Sequence, residues 1–98
     1  MYTGIVQGLE KIIEIQKGDG FITIVVSNQH HFFADVFIGA SVAINGVCLT
    51  VTTIDAALNQ IHFDISDVTL ALTSLKNLKT GDAVNIERSA KVGAENGG

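Results

Sequence analysis

The chain has 98 residues, 47% of them apolar and 6% aromatic, and its six Lys and Arg against ten Asp and Glu leave a formal net charge of −4. That is one domain with a real core; without a basic cluster it lacks the driving force for nucleic-acid binding, and no run of about 18 apolar residues could span a membrane. The single cysteine, Cys48, excludes an internal disulfide, and the opening Met1-Tyr2-Thr3-Gly4 lacks the charged and apolar regions of a signal peptide, so a cytoplasmic protein is expected.

Residues 4–15 read as a strand that bends at Gly8, where a bulge or a close approach is expected. Lys17-Gly18-Asp19-Gly20 is a turn, followed by a dense β-branched strand over 21–26. Residues 27–38 have no clean period and predict a loop with a helical turn near 32–37. Two alternating apolar runs, 41–44 and 47–54, flank Asn45-Gly46, the dipeptide of a two-residue type I′ hairpin. In that hairpin Ile44 lies opposite Val47, Ala43 opposite Cys48, Val42 opposite Leu49 and Ser41 opposite Thr50. One face carries Val42, Ile44, Val47, Leu49 and Val51; the other carries Ser41, Ala43, Cys48, Thr50 and Thr52, small and mostly polar. A strand over 61–65 follows with Ile61, Phe63 and Ile65 inward and His62, Asp64 and Ser66 outward. Asp67 is placed to cap a helix from Val68, with Val68, Leu72 and Leu75 on one face. Lys79-Thr80-Gly81-Asp82 turns the chain into a last strand over 83–88, with Val84 and Ile86 inward, and residues 89–98 read as the start of a linker. About six short strands predict an all-β fold: a closed antiparallel barrel, which leaves no exposed sheet edge, with an open sandwich as the alternative.

The outward face of Ser41, Cys48 and Thr50 is the main candidate site. Small side chains leave room for a flat ring, and the hydroxyls can bond a polyol tail; the competing reading is a solvated barrel exterior. No Lys, Arg or His lies near Cys48 in sequence to activate it, so its residue type alone does not make it a nucleophile. His30, His31 and His62 lack the spacing of a metal site, and no metal is expected. Asp64 and Asp67 could pair for acid–base work, but a strand end and a helix cap account for them more simply. Gly18-Asp19-Gly20 has no phosphate-loop context.

Met1-Tyr2-Thr3-Gly4-Ile5-Val6-Gln7-Gly8 closely resembles the opening of riboflavin synthase, which usually reads Met-Phe-Thr-Gly-Ile-Val. The run from Gly39 through Ser41-Val42-Ala43-Ile44-Asn45-Gly46-Val47-Cys48-Leu49-Thr50 to Val51 is similar to that family's central signature. Phe63-Asp64, Thr69-Leu70, Gly81-Asp82, Val84-Asn85 and Glu87-Arg88 follow in the family's order. Tyr2 departs mildly from the usual Phe, and Ser66-Asp67-Val68 departs from a bulkier residue followed by Lys and Glu.

The resemblance implies the first of two six-stranded Greek-key barrels, with one or two short helices, occupying residues 1–88. It implies a parent enzyme that converts two molecules of 6,7-dimethyl-8-ribityllumazine into riboflavin and 5-amino-6-ribitylaminouracil by moving a four-carbon unit, with no metal or redox cofactor. Carried over by position, the ligand-binding residues would be Thr3, Gly4, Ile5, Val6, Ser41, Cys48, Leu49, Thr50, Asp64, Ile65, Ser66, Asp67, Val68 and Thr69, with Cys48 in a catalytic role. The full-length family is homotrimeric, with each active site between barrels of two subunits. The isolated domain would form a homodimer with little or no turnover. The alternative within the same fold is an antenna protein that binds lumazine or flavin without converting it.

Overall fold

Apolar residues recur at alternate positions along most of the chain, and a sheet made from them has one face to bury, while the α-helix among the described residues is six residues long, too short to cover it. Closing the sheet on itself solves that problem. The structure, a computed structural model, describes residues 4–33 and 35–89. Its strands are β1 (Gly4–Lys17), β2 (Phe21–Ser27), β3 (Ser41–Ile44), β4 (Val47–Asp55), β5 (Gln60–Ser66) and β6 (Ala83–Ser89). All neighbours are antiparallel, and the barrel closes in the order β1-β2-β5-β4-β3-β6. A six-residue helix, α1 (Asp67–Leu72), and a 3₁₀ turn (Ser74–Asn77) lie between β5 and β6. The expected linker falls almost entirely on 90–98, outside the described residues. No helix among the described residues is long and apolar enough to cross a membrane.

The interior is filled by inward side chains of every strand, including Ile12, Ile24, Val42, Phe63, Val84 and Ile86, with Phe33 and Leu75 closing the core from outside the sheet. Phe33 meets Phe63 with ring centroids 5.9 Å apart and planes tilted by 55°, a favourable aromatic arrangement. Residues 27–38 differ from expectation. Ser27 ends β2, and the described residues of the following loop form turns with no helix. The loop is held instead by the buried carboxylate of Glu10, which accepts hydrogen bonds from Ser27 Oγ (2.6 Å), Gln29 N (3.1 Å) and His30 N (2.8 Å).

Strand β1 is bent as its glycine predicts. Its register against β6 shifts between Val6 and Gly8, and Gly8 has φ +151. The close approach comes from a side chain, since a Cβ at Gly8 would lie 2.6 Å from Phe32 Cζ. A second shift, between Ile12 and Glu14 against β2, inverts the alternation again. Ile12 is in the core and Ile13 exposed, and after the shift Ile15 rather than Glu14 packs against the core.

Candidate functional site: the outer face of β3, β4 and β5

The hairpin that opens the site has the predicted geometry. Asn45 and Gly46 have φ of 50 and 83, the two positive values of a type I′ turn, and the β3–β4 register pairs Ser41 with Thr50, Val42 with Leu49, Ala43 with Cys48 and Ile44 with Val47. Asn45 also ties the hairpin to β6: its N–H donates to Asn85 O (2.9 Å) and its Oδ1 accepts from Asn85 N (2.7 Å). Val42, Ile44, Leu49 and Val51 are buried, and Val47 packs against the core from its edge. Ser41, Cys48 and Thr50 are exposed on the other face, whereas Ala43, between them in the pleat, is fully buried.

The register extends this face into a row that crosses the barrel. Ser41 pairs with Thr50, Thr50 with Asp64, Asp64 with Thr23 and Thr23 with Gln16. Directly opposed side chains of this kind sit about 5 Å apart at Cβ. Asp64 is exposed and accepts a hydrogen bond from Thr23 Oγ1 at 2.7 Å. Two residues further along each strand, Ala43 pairs with Cys48 and Ser66 with Phe21. Leu49 and Ile65 lie between these rows with their side chains in the core, so only their backbone can touch a ligand on this face.

Helix α1 borders the face. The expected cap is one residue out: Ser66 is the N-cap, its Oγ accepting from Thr69 N at 3.2 Å, and Asp67 sits in the first turn, where an acidic residue suits the helix dipole. Asp67 N donates to Gly20 O (3.1 Å), fixing the helix start against the β1–β2 turn. The helix ends at Leu72, so the expected single apolar face does not form. Leu75 is buried, while Val68 and Leu72 are 69% and 80% exposed. A cleft of about 370 Å³, with Phe21, Ile22, Leu70 and Leu75 among its walls, opens between α1 and the β1–β2 turn. Sequence reading missed it because β2 and α1 meet only after folding.

The remaining expected residues lie further round the barrel. Gly4, Ile5 and Val6 pair with Ser89, Arg88 and Glu87 of β6, and Glu87 pairs in turn with Ala43. At about 4.8 Å per strand, Val6 is roughly 14 Å from Cys48 along the sheet. Thr3 lies outside the described residues. Among the described residues no three of His, Cys, Asp and Glu come together, and His30 is directed to Glu10 (3.3 Å).

Ser41, Thr50 and Asp64 thus present two hydroxyls and a carboxylate in one exposed row, with the start of α1 beside it. The profile of the lumazine binding domain matches residues 3–89. The chain belongs to the lumazine-binding domain family. It is 48% identical over 98 residues to riboflavin synthase of Escherichia coli and 45% identical to riboflavin synthase of Buchnera aphidicola subsp. Schizaphis graminum. Each match covers the whole of this chain but only 45% and 46% of the relative, so this lumazine-binding domain spans under half the length of the curated proteins it matches. Among solved structures it resembles LumP complexed with 6,7-dimethyl-8-(1'-D-ribityl) lumazine, with TM-score 0.79 and 31% identity over 93% of this chain and 50% of that one. LumP complexed with flavin mononucleotide gives TM-score 0.76 at 31% identity, over 89% of this chain and 48% of that one.

Proposed function

We propose that this domain binds a ribitylated pteridine or flavin, 6,7-dimethyl-8-ribityllumazine or riboflavin, across the outer face of β3, β4 and β5 beside α1. The observation that carries this reading is the unbroken row Ser41–Thr50–Asp64. Among the described residues the hydroxyls of Ser41 and Thr50 have no protein partner, so three polar groups stand exposed in one row. The identity to riboflavin synthases and the likeness to ligand-bound LumP support the same ligand class.

Within a longer parent chain we assign the riboflavin synthase reaction, in which a four-carbon unit passes from one lumazine to another. The two identical lumazines supply every atom of both products, so the transfer balances without an external oxidant or reductant. The protein's largest contribution is to hold two rings together, an entropic advantage that can be large. Cys48, level with Ser66 on this face, is the side chain we assign to the ring in turnover, as a polar contact or nucleophile. A cytoplasmic site of action accords with a free exposed thiol. The antenna reading is kept by the LumP likeness. A lumazine-to-riboflavin conversion assay on the full-length parent separates the two, since a parent that binds but never converts is the antenna.

Titration of riboflavin fluorescence tests binding directly. Thr50→Val is expected to weaken riboflavin binding by about 1 kcal/mol, roughly fivefold, with little change in stability. Unchanged affinity would move the site away from this face. The exposed Val68 and Leu72 are assigned to contact with a second copy about a two-fold axis. Size-exclusion chromatography is expected to show a dimer; a strict monomer with and without riboflavin counts against that assembly.

A further inference from the structure

We propose that Thr23 of β2 is a positioning residue for the ligand: it holds the Asp64 carboxylate so that its second oxygen accepts a hydroxyl of the polyol tail. Asp64 lies between two threonines in the row, paired with Thr50 on one side and Thr23 on the other. Only Thr23 bonds it, Oγ1 donating to Oδ1 at 2.7 Å, and among the described residues Oδ2 has no protein partner. An exposed aspartate is free to rotate about its side-chain bonds. A short bond to one oxygen from a β-branched neighbour, itself stiff at χ1, fixes where the other oxygen points.

Strand pairing here does not depend on that bond. The β2–β5 ladder runs unbroken through seven residue pairs, from Phe21 with Ser66 to Ser27 with Gln60, and it packs Ile22, Ile24 and Val26 against Ile65, Phe63 and Ile61. An exposed hydroxyl–carboxylate bond adds little to such a ladder. Its consequence is orientation: the carboxylate is aligned with the unpartnered hydroxyls of Thr50 and Ser41, spaced along the row at about the 4.8 Å strand separation. A hydroxylated chain laid across the strands meets an acceptor and two donor–acceptor hydroxyls in sequence. This extends the site one strand beyond the hairpin and rests on the flavin-binding reading above.

The test is a double-mutant cycle read by riboflavin titration of the 98-residue chain, with thermal melting as a check on folding. Thr23→Val, isosteric and a good strand former, is expected to weaken riboflavin binding roughly fivefold with little change in melting. Thr23→Ser is expected to restore affinity to within about twofold, because the donor returns. In an Asp64→Ala background, Thr23→Val is expected to have almost no further effect, since residues acting through one another are not additive. Equal weakening in both backgrounds, or no weakening in either, overturns the proposal while the face remains the site. A chain that does not bind riboflavin at all overturns the binding reading and the proposal together.

Discussion

Phe63→Ala is expected to cost about 4 kcal/mol of stability, the upper part of the range for truncating a fully buried aromatic. Phe63 has no solvent exposure and packs at the centre of β5, level with Ile24 of β2 and Val51 of β4, with Phe33 against its ring. A closed barrel has little freedom to collapse around the void, because each strand is held on both sides. At about 4–8 °C per kcal/mol for a domain of this size, the midpoint should fall by more than about 15 °C. Urea denaturation followed by circular dichroism checks it. A loss below about 1 kcal/mol would mean that the core relaxes far more than a closed ladder allows. Phe63→Leu, which leaves a smaller void, should lose much less.

Glu10→Ala ranks next, at about 3 kcal/mol, and for a different reason. The side chain is 1% exposed, and its two oxygens take donors from Ser27, Gln29 and His30, while Ser27 Oγ also accepts from Lys11 N at 3.0 Å. Removing the carboxylate orphans two backbone N–H groups and a hydroxyl at once. The small cleft of about 180 Å³ beside them, bordered by Leu9 and Ala83, lets water recover part of that loss. The His30 imidazole contributes little, since its side chain is 61% exposed and its attraction is screened. Glu10→Gln keeps one acceptor and should lose about half as much. Hydrogen exchange should show the faster opening confined to the loop after β2; protection unchanged there would remove Glu10 as its anchor.

Local signals carried much of this structure. Asn45-Gly46 sets its own turn, and the alternation on either side sorts the hairpin into a core face and an outer face, so the placement of Cys48 and Thr50 followed from residues 41–51 alone. The pairings that close the barrel carry no such signal. β1 meets β6 across nearly the whole chain, and Thr23 meets Asp64 across 41 residues, so neither the seam nor the β2 half of the candidate site could be read from neighbours. Glu10 was missed because two register shifts in β1 break the period of two: Leu9 is 53% exposed and Glu10 is buried, the reverse of what their polarity suggests. The helix cap moved from Asp67 to Ser66 because both residue types cap well, and only the backbone geometry of β5 decides which one does.

The row from Ser41 to Thr23 draws on four strands, and only the folded barrel brings all of them together. A ligand that needs the whole row therefore binds the native barrel and not the unfolded chain. By mass action, occupancy and folding become one equilibrium: at a concentration one hundred times the dissociation constant, a ligand on this row adds about 2.7 kcal/mol to the stability of the barrel.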